Sequence, residues 1–209
     1  MEKEIGLFPL NLVAFPGEQL NLHIFEPRYK QLINDCLELK TTFGIPAFIN
    51  NKIEYGTEMR VKEVTRLYED GRMDIKTEGL NVFKVIDFQN PWKNRLYGGG
   101  LVQTIEQDSR EDKELKLRLV DLTQQLFDWL KMEEFIQIDF KTSLHQIVHK
   151  VGLKVDEEYE LLKISSESDR QMYIVQHIKR ILPILERAEK AKEIIRMNGH
   201  FKHLDPLKF

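Results

Sequence analysis

The sequence predicts an α+β protein: a strand-rich first half that closes as a small β-barrel around one inserted helix, then an α-helical bundle ending in a long helix. Three observations carry this. Apolar alternation and turn residues dominate up to about residue 108. One helical stripe, Tyr29, Leu32, Ile33, Cys36 and Leu37, interrupts them. From Glu111 onward the period changes, with Leu115, Leu119, Leu122, Leu126 and Leu130 at steps of three and four. This places a boundary between two expected subdomains, residues 1–108 and 109–209.

Each element has its own signal. Leu7-Phe8-Pro9-Leu10 and Leu22-His23-Ile24-Phe25 are strand-like. Pro27 suits the first turn of a helix, where a missing amide hydrogen is harmless, and the apolar stripe carries that helix to about Lys40. Phe43 to Ile49 returns to strand. Met59, Val61 and Val64 lead through Glu69-Asp70-Gly71 into alternating Met73, Ile75 and Thr77, a hairpin whose Asp70-Gly71 pair is expected to supply positive φ angles. The step from Val61 to Val64 and the glycine at Gly79 break the alternation, so bulges are expected at both places, and bent strands suit a barrel. A loop with Pro91 and Trp92 then runs through Gly98-Gly99-Gly100 into a last strand, Leu101 to Ile105.

In the helical half, Ser143 and Gln146 form a capping box ahead of Leu144, Ile147, Val148 and Val151, and Gly152 is a natural stop. Asp156 is expected to cap a short helix through Leu161 and Leu162, with Glu157 and Glu158 at its positive end. The final helix is expected from about Asp169 to Met197, with Pro183 as a kink or break and Asn198-Gly199 as its stop.

Composition narrows the function classes. Of the 209 residues, 42% are hydrophobic, enough for a proper core, and no run of about 18 apolar residues suggests a membrane span. With a doubly charged start and no leader-like segment, the expected location is the cytoplasm. Charged residues make up 31% of the chain, but the net charge is only −3, so no global basic field recruits nucleic acid. Residues 1–110 carry 14 basic and 16 acidic groups, residues 111–178 carry 9 and 14, and residues 179–209 carry 8 and 4. The C-terminal helix is thus the basic element, which a solvated helix face explains. The single Cys36 lies on an apolar stripe and reads as an inert core thiol.

One long pattern is specific. Leu7-Phe8-Pro9-Leu10, Val13, Phe15-Pro16-Gly17 and Leu22-His23-Ile24-Phe25-Glu26-Pro27-Arg28-Tyr29 resemble, with their spacing, the opening signature of the LON substrate-binding domain family. Gly56-Thr57, the tip Asp70-Gly71-Arg72, Ile75, Gly79 and Phe83 resemble its second block, with a departure at Val82, where the family often has Arg. Leu161-Leu162 and Arg170 continue the likeness into the helical half, over about residues 5–195. The resemblance implies a PUA-like barrel followed by helices, and a non-catalytic module that holds exposed apolar or unfolded segments of client proteins in protein quality control. Unfolded or damaged proteins are the implied partners, with a separate ATPase or protease as a further one.

The chemistry-bearing candidates point the same way. These residues contain no phosphate-binding loop, because Gly98-Gly99-Gly100 runs into Leu101-Val102 rather than Lys-Ser or Lys-Thr. All five serines, 109, 143, 165, 166 and 168, lie in predicted caps or linkers. His145 and His149 share a helix face as zinc ligands do, yet the position of the catalytic Glu is taken by Gln146. His200 and His203 sit in a tail, and the adjacent carboxylates Glu133-Glu134 and Glu157-Glu158 point apart on helices. No enzyme activity, metal or cofactor is therefore expected. Glu26, Arg28 and Arg72 read as structural, with the Arg fork pinning the inserted helix to the sheet. Trp92, Leu96 and Tyr97 stand in a loop bounded by Pro91 and Gly98, and are either tucked under that loop or form the expected partner-binding patch. The alternatives are RNA binding, opposed by the acidity of the first half, and small-molecule catalysis in a barrel cleft, for which no convergent residue set exists.

Overall fold

The computed structural model describes residues 1–110, 112–132, 139 and 141–200. Six strands come first: β1 (Glu2–Leu7), β2 (Gln19–Ile24), β3 (Phe43–Ile49), β4 (Lys52–Leu67), β5 (Met73–Val85) and β6 (Gly98–Thr104), with helix α1 (Pro27–Leu39) between β2 and β3. Helices α2 (Lys113–Trp129), α3 (Leu144–Ile147), α4 (Val155–Lys163) and α5 (Glu167–His200) follow, α3 running into one 3-10 turn at Val148–Lys150. The strand order is β2-β5-β4-β3-β1-β6, and β6 returns to β5, so five strands close a ring to which β2 is added along β5. Only the β1–β3 pair is parallel.

The ring closes because its longest hairpin bends. The β4–β5 register shifts between Thr57 and Met59, opposite Gly79, and again at Val61/Glu63 and Val64/Arg66, the places where alternation breaks in the sequence. Gly79 is required there: a Cβ on it would stand 2.2 Å from the Phe15 carbonyl oxygen. At the hairpin tip only Gly71 takes a positive φ, 76°, so the expected pair of positive angles at Asp70-Gly71 is corrected to one. Helix α1 plugs the ring. Its Tyr29, Leu32, Ile33 and Cys36 share a core with Phe8, Ile24, Phe43, Met59 and Tyr97, while Leu37, expected on the same stripe, is 41% exposed. Burial pushes the Cys36 thiol up to about 11, in keeping with an inert core group.

Several boundaries differ for local reasons. The first strand precedes its expected place: β1 ends at Leu7, where Pro9 removes a ladder donor, and its exposed charges at Glu2 and Glu4 conceal the pattern. Strand β6 begins at Gly98, so the three glycines belong to the sheet rather than to the loop. Asp112 caps α2, accepting from the Glu114 and Leu115 amides at 2.9 and 3.0 Å. Gln146 Oε1 accepts the Ser143 amide at 2.8 Å, completing the expected box. For α4 the cap is Lys154, whose amide donates to Glu157 at 2.9 Å, and Asp156 lies in the first turn instead. Helix α5 continues through Pro183. Glu133, Glu134 and His203 lie outside the described residues, as does the side chain of His200.

The expected pinning of α1 by Arg28 is also corrected. Arg28 donates to Glu26 at its own helix entrance, at 2.7–2.8 Å, with 43% and 38% of the two side chains exposed, and its guanidinium lies 4.5 Å over the Tyr29 ring. Arg72 likewise pairs locally with Asp70 at 2.6 Å. The helix is tied to the hairpin tip by Lys30, which donates to the Asp70 carbonyl at 2.8 Å. Helical Arg170, 13% exposed, makes the fork contacts: it donates to the Ile164 carbonyl at 2.7 Å, to Glu167 and to Gln107.

Candidate protein-binding site

The loop expected to display aromatic anchors folds inward. Tyr97 is 4% exposed and donates to Asp35 of α1 at 2.7 Å, and Arg95 meets the same carboxylate at 2.8 Å. Trp92 is half-buried against this core, and Leu96 alone stands out, 60% exposed. The glycines make the inward path possible. A Cβ on Gly99 would come within 2.5 Å of the Trp92 ring, and one on Gly100 within 2.0 Å of the Asp87 carbonyl oxygen. Gly98, Gly99 and Gly100 therefore let the loop lie down on the barrel.

The seam between strands and helices offers the better surface. Val13, Phe15, Ala47 and Val82 from the strand half share one core with Leu119, Phe127, Val148, Leu161, Leu162, Ile174 and Ile178 from the helices. Along that seam runs a cleft of about 400 Å³, lined chiefly by apolar groups that include Phe15, Pro16, Leu80, Val82, Leu144 and Leu162. Phe15 and Pro16 form its strand-side lip, and the amide of the next residue, Gly17, donates to the Gly79 carbonyl at 2.9 Å. A Cβ on Gly17 would meet the His145 ring at 2.9 Å, so this glycine sets the distance between the two halves. Polar side chains share the lining, among them Asn81, Ser109, Ser143, His145 and Glu167. Arg170 and Gln107 stand at the wall, and the Gln107 Nε2 is buried with no hydrogen-bond partner. A buried donor left unpaired costs about 1–3 kcal/mol.

Beside the cleft lies a clamp that the sequence did not announce. His149 reaches Glu158 of α4 through Nδ1 at 2.8 Å and Glu18 of the strand half through Nε2 at 3.1 Å. The second oxygen of Glu18 accepts the Phe15 amide at 2.9 Å. Bonded to Glu158 and Glu18, the His149 imidazolium is held up to about 10, against the opposing pull of burial. His145, one turn earlier, has the reverse setting: burial against the Gly17 backbone pushes it below its ordinary value. The two histidines thus have separate environments, and among the described residues no group of three or more His, Cys, Asp and Glu side chains is arranged to hold a metal ion. Glu18 was missed because its partner His149 comes from the other half of the chain. Its position directly after Pro16-Gly17 was the available signal.

The comparisons with known proteins agree with this architecture. A crystal structure of a Lon N-terminal domain protein from Xanthomonas campestris superposes with a TM-score of 0.65 at 23% identity, covering 83% of this chain and 98% of that one. The N terminal domain of Mycobacterium avium complex Lon protease superposes with the same TM-score at 12% identity, covering 85% and 98%. At such identities the likeness concerns the fold. The family model of the ATP-dependent protease La (LON) substrate-binding domain matches residues 4–180, from within β1 into α5, and the chain therefore belongs to that family.

Proposed function

We propose that this chain binds exposed apolar or unfolded segments of client proteins, without catalysis of its own. The observation that carries the reading is the apolar cleft at the seam, floored by core residues of both halves and edged by the signature residues Phe15 and Pro16. Concave, mostly apolar surfaces with a few fixed polar groups suit side chains flanked by peptide carbonyls. We read the strand ring as a PUA-like barrel and α2 to α5 as a bundle, two subdomains meeting at residues 108/109 with the cleft between them. Unfolded or damaged proteins are the partners this surface fits, and a separate ATPase or protease would act on what it holds.

The test is titration of a fluorescent, reduced and carboxymethylated protein into the wild type and into Leu80→Glu. Leu80 is half-buried on the cleft wall, so the charge enters the cleft and not the core. Binding by the wild type, weakened about tenfold or more in the variant with an unchanged circular dichroism spectrum, is the expected result. Equal affinity in both would remove the cleft.

A further inference from the structure

Among the described residues, the fold treats two stretches of the sheet's free edge, on β4 and on β2, differently. Strand β3 pairs with β4 only as far as Met59, which leaves residues 60–67 of β4 open on that side. That edge is blunted twice over, by register shifts at Val61/Glu63 and Val64/Arg66 and by the charges of Arg60, Lys62, Glu63 and Arg66. Strand β2 terminates the strand order, so its far edge meets no strand among the described residues. It has none of these guards: Gln19–Ile24 contains no charged residue and no proline, and it pairs with β5 in unbroken register. An unguarded edge is normally a liability, because it templates another strand.

The backbone groups on that edge can be identified. Glu18, in line with β2, turns its carbonyl to β5 and accepts the Gly79 amide at 2.8 Å. Backbone direction alternates along an antiparallel strand, so Leu20, Leu22 and Ile24 bond to β5 while Gln19, Asn21 and His23 aim their N–H and C=O groups outward. All three outward residues are exposed, and unpaired backbone groups do not persist away from water, so the edge is open to solvent. Its Gln19 end follows, through Gly17 and Glu18, from Phe15 and Pro16 at the cleft wall. At its other end stand Phe25 and Leu67, 59% and 69% exposed.

From this we infer that β2 is a docking edge for an extended, uncharged peptide segment, which adds as a further strand and delivers an apolar side chain into the seam cleft. The inference rests on the client-binding reading above and supplies its mode. Only an extended backbone matches the outward donors and acceptors, and such pairing ignores side-chain identity, as a receptor for varied unfolded segments must. An uncharged segment fits because β2 carries no Asp, Glu, Lys or Arg and its His23 is already paired with Asp74 at 2.5 Å. A second copy of this chain fits less well: two β2 strands side by side would share only the polar Gln19, Asn21 and His23, far short of the apolar area in a stable dimer.

The probe is a fluorescein-labelled peptide of about ten alternating Thr and Val residues, beside the same peptide N-methylated at every second amide. Asn21→Pro removes one outward N–H that the fold does not use, and circular dichroism monitors folding. The expected result is binding of the plain peptide by the wild type, weakened about tenfold or more by Asn21→Pro and by N-methylation, with the protein monomeric in sedimentation. If Asn21→Pro does not fold, the N-methylated peptide on unaltered protein decides alone. Equal binding of both peptides overturns the edge as the docking mode, and so does a dimer that dissociates in Asn21→Pro, since the occupant is then a second copy. Binding of carboxymethylated protein that N-methylated peptide and plain peptide fail equally to displace also overturns the edge but leaves the client-binding reading standing. Failure to bind carboxymethylated protein at all defeats both.

Discussion

The connection of residues 86–97, between β5 and β6, and that of residues 8–18, between β1 and β2, use aromatic, proline and glycine residues in opposite ways. In the first, the glycines of β6 clear space for the loop to lie on the sheet, and its Tyr97 goes inward to meet α1 through Asp35. In the second, Gly17 lets the chain press against the helical half, and Phe15 and Pro16 become the wall of a cleft. Similar composition therefore served stability in one place and an open surface in the other. The difference is what lies opposite: a helix that plugs the ring faces the first connection, and a second structural half faces the other.

Mutations can separate the two. The largest effect is expected from Tyr97→Ala, which empties a buried ring site and removes one of the two partners of Asp35, lowering unfolding free energy by about 3–5 kcal/mol in chemical denaturation. A loss below about 1 kcal/mol would return Tyr97 to the surface and erase the contrast. Next is Gly100→Ala. Its Cβ would meet the Asp87 carbonyl at 2.0 Å, a backbone atom that cannot swing aside, so a loss of about 2–3 kcal/mol is expected in the same assay.

At the seam the sharper tool is pH. His149 has its pKa raised from 6.5 to about 10 in the folded state, so its contribution is fully present below pH 6.5 and is lost as pH rises through about 10. Thermal melts should therefore show a wild-type advantage over His149→Gln that shrinks between pH 7 and pH 10. With 35% of the His149 side chain exposed, solvent screening limits that advantage to about 1–2 kcal/mol. An advantage that is flat with pH would show that packing, not charge, joins the halves. The smallest effect is expected from Arg28→Ala, at about 0.5 kcal/mol or less, because its partner Glu26 is local and both side chains are well exposed. A melting temperature several degrees lower would reveal a role for the signature Arg beyond its own helix entrance.

The signals legible in the sequence were those that act over a few residues. Hydrophobic period placed β2 to β5 and the helices, Pro27 and Ser143 marked helix starts, and the broken alternation at Val61–Val64 and Gly79 located the bends of the hairpin. The Phe15-Pro16-Gly17 and Glu26-Pro27-Arg28 patterns placed the chain in its family, since such motifs record local backbone demands. What the tertiary structure alone decided was direction and partnership. Whether Tyr97 points in or out depends on Asp35, 62 residues earlier. Whether His149 is a free imidazole or a clamped cation depends on Glu18, from the other half of the chain. Burial and pairing energies arise from neighbours in space, and composition near a residue carries no record of which distant side chain will come to stand against it.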